Sequence, residues 1–168
     1  MHIELINRNN LGKLYKFEVD NRKYFEEIGL PRKEEYYKYE KFLELSYNLI
    51  DEQIKDQGYY YLLIDSYDVI GRINISQIIR GPLNKGELGY RLGKDVQGRG
   101  YGTKGVSLVV EQARKNHKLH RLEAGTSLEN IPSQRILEKN GFRKVGIYEE
   151  YILINGIWLN NILYEKIL

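Results

Sequence analysis

The chain has 168 residues, of which 42% are hydrophobic and 29% are charged, and its formal net charge is +3. These proportions are typical of one soluble globular domain with a substantial core, so residues 1–168 are treated as a single domain. The charge is too small to indicate binding to nucleic acid. The chain has no cysteine, which excludes disulfides, thiolate metal sites and a cysteine nucleophile.

The sequence lacks the usual signals of membrane insertion, secretion and metal binding. No apolar run approaches 18 residues, and the first residues lack the basic and apolar regions of a signal peptide. We therefore expect a cytoplasmic protein that does not bind membranes. The three histidines, His2, His117 and His120, do not form a ligand pattern, so no metal is expected. Either a monomer or a homodimer is compatible with the sequence.

The first half of the chain predicts a strand, two helices and two strands. Residues 2–6 alternate as in a strand, and residues 11–20 form a helix with Asn10 as its cap. A second helix is predicted over residues 32–53, where Tyr39, Phe42, Leu43 and Ile50 recur at helical spacing. Residues 59–64 and 69–79 are predicted strands, separated by a polar turn.

The second half alternates strands and helices before a final hairpin. After a turn at residues 84–86, we predict strands at 87–92 and 121–126 and helices at 103–116 and 131–140. Gly141 follows the last helix as a left-handed stop. The hairpin covers residues 142–154 and 157–168, turned at Asn155-Gly156. This order predicts a mixed α/β fold, with one mixed sheet and helices on both faces.

A glycine-rich loop between a predicted strand and a predicted helix carries the strongest chemical signal. Gly98, Gly100 and Gly102 permit positive φ and let the backbone approach a ligand closely. Successive backbone N–H groups and the helix N-terminus then favour an anion. Arg99 and Lys104 add formal positive charge. The loop therefore predicts binding of a phosphate or pyrophosphate.

The loop has two alternative interpretations. One is a glycine-rich turn without a ligand, for which three spaced glycines are excessive. The other is a dinucleotide site, because residues 100–105 match G-x-G-x-x-G and Glu123 follows about 20 residues later. That fingerprint places its first glycine at the strand end, whereas residues 93–99 separate Leu92 from Gly100. A Walker motif is excluded because no Gly-Lys-Ser/Thr occurs.

The spacing Gln97-x-x-Gly100-x-Gly102 matches the coenzyme A pyrophosphate signature of the GNAT acetyltransferase superfamily. The chain resembles its RimJ/RimL-type branch, which acetylates protein N-termini. The resemblance covers about half of the chain and lies in six segments: residues 87–90, 97–102, 119–125, 129–133, 135–142 and 150–158. The part before Gly58 resembles the family only in its helical layout.

The resemblance implies a sheet that splays at a cleft for acetyl-CoA. Backbone groups of Tyr90, Arg91 and Leu92 would pair with the pantetheine arm, Asn130 would hydrogen-bond it, and Ser133 would approach the sulfur. The pyrophosphate would be held by the loop residues Gln97, Gly98, Arg99, Gly100, Tyr101, Gly102 and Thr103. Simple helix capping is the alternative role for Asn130 and Ser133.

Catalysis requires a base for the amine and a proton for the leaving thiolate. Glu87 and Glu150 are the candidate bases, and Glu123 is a weaker one. Many superfamily members carry a tyrosine acid where this chain has Leu137, so Ser133 becomes the leading proton donor.

The expected reaction is direct acetyl transfer to an N-terminal α-amine in a ternary complex. A small amine (polyamine, aminoglycoside or amino acid), a non-catalytic coenzyme A-binding regulator and a nicotinamide dehydrogenase are the alternatives. Trp158 belongs either to the hairpin structure or to the mouth of the acceptor pocket.

Overall fold

Seven strands form one mixed sheet in the computed structural model, which describes residues 1–29, 31–154 and 156–168. In chain order they are β1 (His2–Leu5), β2 (Tyr59–Asp65), β3 (Asp68–Ile79), β4 (Lys85–Leu92), β5 (Arg121–Ser127), β6 (Arg143–Ile154) and β7 (Ile157–Ile167). Their order across the sheet is β1-β2-β3-β4-β5-β7-β6. Within the described part of the chain, β4 and β5 form the single parallel pair.

Helices cover both faces of this sheet. They are α1 (Leu11–Asp20), α2 (Arg22–Glu27), α3 (Tyr39–Ile54), α4 (Tyr101–Lys115) and α5 (Ile131–Lys139), with 3₁₀ turns at Glu34–Tyr37 and Lys94–Val96. Successive side chains of β2 enter different cores: Tyr60 and Leu62 pack with α1, α2 and α3, whereas Tyr61 packs with α4 and α5. The predicted fold class is therefore confirmed.

The N-terminal helical region differs from the prediction in two places. The predicted helix over residues 32–53 is a 3₁₀ turn followed by α3, and Tyr39 at its start is 45% exposed. The sequence also gave no sign of α2, because six residues are too few for a helical period to show. Its Phe25 is fully buried and completes the core under α1.

Two turn and cap predictions also need correction. The side chain of Asn10 does not cap α1; it accepts from the backbone N–H of Asn7 at 2.9 Å and donates to the carbonyl of Leu5 at 3.0 Å. The predicted turn at residues 84–86 ends earlier, because β4 already begins at Lys85. Gly141 does have the expected left-handed conformation, with φ of 76°. Asn155 of the predicted hairpin turn lies outside the described residues.

Across the same described residues, we find no helix that combines the length and the apolar character needed to cross a membrane.

Candidate active site

A gap opens in the sheet between β4 and β5. The two strands pair over three positions only, the last being Glu87 opposite Glu123. β4 then continues to Leu92 beside β3, and β5 continues to Ser127 beside β7. The facing edges of β4 and β5 beyond Glu87 and Glu123 therefore present backbone N–H and C=O groups that are not used in the sheet. Such an edge can pair with an extended ligand that carries amides.

Alternate side chains of β4 point to opposite faces of the sheet beside this gap. Leu88 and Tyr90 face α4 and α5, whereas Arg91 faces α1 and α2. By the period of a strand, Glu87 and Gly89 share the face of Arg91. A Cβ built on Gly89 would meet no atom within 4 Å, so there is open space on that face beside the gap.

The glycine-rich loop leads from the end of β4 into the N-terminus of α4. Gly98 and Gly100 have φ of 71° and 79°, which glycine adopts without strain, and a Cβ on either would point into open space. The first helical bond of α4 runs from the N–H of Lys104 to the carbonyl of Gly100 at 3.1 Å. The N–H groups at positions 101–103 precede that bond and so lack a partner within the helix. The loop has the open, positively polarised backbone that an anion requires.

The side chain of Gln97 closes the turn before these glycines. Its amide donates to the carbonyls of Leu92 at 3.2 Å and Gly93 at 3.0 Å. This contact fixes the position of the loop relative to the end of β4. Gln97 therefore shapes the loop, and its backbone N–H is itself used within the turn, where it donates to the carbonyl of Lys94 at 3.4 Å.

Two further residues of the loop have structural contacts. Gly102 is buried, and a Cβ there would lie 2.6 Å from Cδ1 of Ile136 and 2.8 Å from Cδ1 of Leu92. This glycine thus allows α4 to approach α5 and β4. Tyr101 donates its phenol proton to Asp65 at 2.7 Å and carries the guanidinium of Arg99 over its ring at 5.6 Å.

Ser133 and Tyr90 meet beside the gap. The hydroxyl oxygen of Ser133 lies 2.8 Å from the phenol oxygen of Tyr90, which also donates to the carbonyl of Ser133 at 3.1 Å. Asn130 caps α5 by accepting from the N–H of Ser133 at 3.1 Å. Burial raises the pKa of Tyr90 to about 12, so its phenol stays protonated at neutral pH.

From the sequence, only the backbone of Tyr90 was expected to contribute to the site, and the contact of its side chain with Ser133 was not predicted. Its place at an alternate, inward-facing position of β4 was the available signal. Leu137, which replaces the family's tyrosine acid, is fully buried in the core between α4, α5 and the sheet.

The candidate bases lie in different parts of the sheet. Glu87 is half-buried on β4, directly beside Glu123 of β5, whose carboxylate is held by Lys85 at 2.6 Å. Glu150 is exposed on β6, which β5 and β7 separate from β4. It occupies an irregularity of β6 with φ of 45°, and its N–H donates to the side chain of Asn160 at 2.9 Å. The structure thus brings Glu87, and not Glu150, to the rim of the gap within the sheet.

Trp158 lies at the outer end of the β6–β7 hairpin. It is 55% exposed and pairs with Leu153 across the hairpin.

Comparisons with known proteins give one consistent result. A family model described as acetyltransferase (GNAT) domain matches residues 11–143. The chain is 38% identical over 151 residues to the probable N-acetyltransferase YjcK of Bacillus subtilis (strain 168), covering 89% of this chain and 81% of that protein.

Solved structures resemble the chain over nearly all of its length. The ribosomal-protein-S5-alanine acetyltransferase from Vibrio fischeri has a TM-score of 0.91 and 26% identity, covering 98% of this chain and 91% of its own. Spermidine N-acetyltransferase from Vibrio cholerae, in complex with CoA and spermine, has a TM-score of 0.80 and 17% identity, covering 99% and 94%. At that identity the second likeness concerns the fold alone.

Proposed function

Because the chain belongs to the GNAT acetyltransferase family and is an acetyl-CoA-dependent N-acetyltransferase, we propose that it acetylates the α-amine of a protein or peptide N-terminus. The observation that supports this most is the gap between β4 and β5, which leads to the Gly98–Gly100 loop at one end and has Ser133 at its side. The likeness to the S5-alanine acetyltransferase supports the choice of acceptor.

The described residues fit acetyl-CoA. The free edge of β4 at Tyr90, Arg91 and Leu92 offers N–H and C=O groups to the two amides of a pantetheine arm. The loop from Gly98 to Thr103 offers its backbone N–H groups to the pyrophosphate, Gln97 positions the turn before them, and exposed Arg99 adds charge. Asn130 retains its amide protons for the same arm while its oxygen caps α5.

Ser133 is proposed to stabilise the thiolate that leaves when the amine attacks the thioester. Tyr90 has one phenol proton, which goes either to the carbonyl or to the hydroxyl oxygen of Ser133. When Tyr90 donates to the hydroxyl oxygen, the proton of Ser133 is free to point at sulfur. Tyr90 is therefore a positioning residue, and Ser133 is the group that contacts the reacting atoms.

Glu87 is proposed to accept the proton of the attacking amine, directly or through water. An α-amine has a pKa of about 7.7–8.0, against about 10.4 for lysine, so roughly a tenth of it is neutral at pH 7. With Glu87 as the base, and with Glu123 beside it paired to Lys85, the site can deprotonate such an amine far more easily than a lysine. Glu150 remains a second candidate from its place in the family motif.

Transfer is proposed to be direct. The chain has no cysteine and no serine in a Gly-x-Ser-x-Gly elbow that would form an acetyl-enzyme. Mass spectrometry of the protein after incubation with acetyl-CoA alone should show the unmodified mass. An acetylated protein that then passes its acetyl group to an amine would contradict direct transfer.

An acceptor screen by release of free thiol tests the proposed substrate. We expect acetylation of a peptide with a free N-terminus and no lysine, and none of an N-blocked peptide with lysine. Activity on the blocked peptide alone would make the substrate class wrong. Activity on spermidine alone would favour a small-amine acetyltransferase. The spermidine N-acetyltransferase from Vibrio cholerae shares the fold of this chain. Coenzyme binding without turnover on any amine would indicate a regulator.

A further inference from the structure

A buried carboxylate on α1 is surrounded by an excess of arginines. Glu18 is completely buried. Its oxygens lie 2.8 Å from Nη1 of Arg72, 3.3 Å from Nη1 of Arg91 and 4.0 Å from Nε of Arg32. Burial alone would raise the pKa of Glu18, but Arg72 and Arg91 more than offset this and lower it, so the carboxylate is ionised. One negative charge thus faces three positive charges, which leaves two positive charges in excess.

This arginine cluster, formed by Glu18, Arg32, Arg72 and Arg91, lies on the side of the gap opposite α4 and α5. Arg91 belongs to the free-edged part of β4, next to Tyr90, and its guanidinium lies over the ring of Phe25 at 4.6 Å. Arg72 lies opposite Arg91 in the antiparallel pairing of β3 with β4. Arg32 is the most accessible of the three arginines, with a third of its side chain exposed, and Arg91 is partly accessible. An acceptor that approaches on this side therefore meets positive charge.

Unsatisfied polar atoms gather at the same place. In the described residues, three buried side-chain atoms have no hydrogen-bond partner: Nε of Arg32, the phenol oxygen of Tyr37 and Oδ1 of Asn74. The ring of Tyr37 packs against that of Tyr36, over which Arg32 lies. Asn74 is on β3, two residues from Arg72 and opposite Gly89. Buried polar atoms are normally paired, so this grouping is what a polar ligand would complete.

We propose that Arg91 and Arg32 bind a carboxylate of the acceptor, so that the enzyme selects acceptors with a carboxylate close to the reacting amine. This rests on the proposed function, and it names the substrate class further. The carboxylate is either an acidic side chain near the N-terminus of a peptide or the α-carboxylate of a free amino acid. A polyamine would add positive charge beside the two positive charges already in excess, which is unfavourable.

Matched peptides test this selection through kcat/KM for thiol release. The set contains three short peptides that begin with alanine and differ only at the second residue, which is glutamate, glutamine or lysine. Free alanine and spermidine complete the set. We expect the glutamate peptide to exceed the glutamine peptide by roughly tenfold or more, mostly in KM, and the lysine peptide to be poorest. If kcat/KM for free alanine matches or exceeds that for the glutamate peptide, this would support the same recognition, with the α-carboxylate of a free amino acid as the group that is bound.

Arginine variants separate recognition from structure. In Arg91→Met and Arg32→Met, the ratio of kcat/KM on the glutamate peptide to kcat/KM on the glutamine peptide should fall to about twofold or less. Arg91→Lys should retain part of the preference for glutamate over glutamine. The control is Arg8→Met, because Arg8 lies on the exposed surface beside Tyr47, and this variant should retain the whole preference. A purely structural cluster would instead slow every peptide equally and leave the ratio unchanged.

The outcomes distinguish the two proposals. Equal rates on the glutamate, glutamine and lysine peptides in the wild type, with free alanine no faster than any of them, would overturn the selection and leave N-terminal acetylation standing. Turnover of spermidine without turnover of any peptide or of alanine would overturn both.

Discussion

The hydroxyl oxygen of Ser133 lies 2.8 Å from the phenol oxygen of Tyr90, and this contact joins the first turn of α5 to the free-edged part of β4. The two residues are 43 positions apart in the chain. Because Tyr90 is protonated at neutral pH, it can orient the serine hydroxyl without competing as an anion.

Ser133→Ala should lower kcat by roughly 10²-fold and leave the coenzyme Kd nearly unchanged, since the hydroxyl acts chiefly as the sulfur gains charge. Tyr90→Phe should lower kcat less, by about tenfold, because the serine remains but is less well oriented. The double variant should resemble Ser133→Ala alone. Thiol release gives kcat and calorimetry gives Kd, with Tyr67→Phe, exposed in the β2–β3 turn, as the control. Additive losses in the double variant would contradict this coupling.

Gly100→Ala should weaken coenzyme binding by tenfold or more. The new Cβ enters the open space that the pyrophosphate would occupy, and the φ of 79° adds strain of about 1–2 kcal/mol. Gly81→Ala is the matched control, because Gly81 has φ of 74° and similar open space in the β3–β4 loop. Both variants should lose similar stability in denaturant, and only Gly100→Ala should lose affinity by calorimetry. Equal affinity in the two variants would remove the loop from the coenzyme site.

Gly102→Ala should destabilise the fold by about 1–3 kcal/mol, because its methyl group would overlap Ile136 and Leu92. Gly12→Ala makes the same change at the second residue of α1, where a Cβ meets no atom within 4 Å. That control should stabilise the protein by up to about 1 kcal/mol. Urea unfolding without coenzyme measures both, and similar effects at the two sites would mean that Gly102 has no packing role.

Glu18→Gln should lower the free energy of unfolding at pH 7 by about 3–5 kcal/mol, because it leaves buried arginines without their counter-charge. The folded pKa of Glu18 is lowered from 4.5, so its stabilisation is fully present above pH 4.5 and is lost as pH falls through the folded value. The wild type should therefore lose stability on acidification more steeply than the variant. Glu34→Gln, at an exposed partner of Arg22, should change stability little. Parallel acid-unfolding curves for Glu18→Gln and the wild type would contradict this role.

Glu87→Gln should lower kcat/KM on an N-terminal peptide by about 10²-fold at pH 7, as expected for loss of a general base. The deficit should shrink toward pH 9, where most of the α-amine is already neutral. Glu111→Gln, on the outer face of α4, is the control and should behave as the wild type. A Glu150→Gln variant measured in parallel decides between the two candidate bases. A deficit in Glu87→Gln that stays constant from pH 7 to pH 9 would assign Glu87 a role other than proton removal.

Local signals explain what the sequence could predict. The strands, α4, α5 and the left-handed Gly141 follow from periodicity and turn chemistry, which act over a few residues. The positive φ of Gly98 and Gly100 was likewise expected from their spacing between strand and helix. The backbone of Gly102 was assigned to the ligand, which stays a prediction, and its contacts show an additional packing role that depends on residues distant in sequence.

The contacts that sequence reasoning missed are those between distant segments. Glu18 contacts Arg72 and Arg91, which are 54 and 73 positions away in the chain, and no local sequence pattern predicts these contacts. The pairing of Tyr90 with Ser133 likewise depends on how α5 packs against β4. Asn10 looked like a helix cap because its residue type favours that role, but its side chain binds the preceding loop instead.

The short pairing of β4 with β5 divides the sheet into two half-sheets, β1 to β4 and β5 with β7 and β6. Each half is held by long antiparallel ladders, whereas three residue pairs and the packing of α4 and α5 hold the halves together. A pantetheine arm bound along the gap, as proposed, would bond to both half-sheets and would bind only their assembled form. Saturation with acetyl-CoA would then disfavour separation of the two half-sheets and raise the resistance of the enzyme to proteolysis.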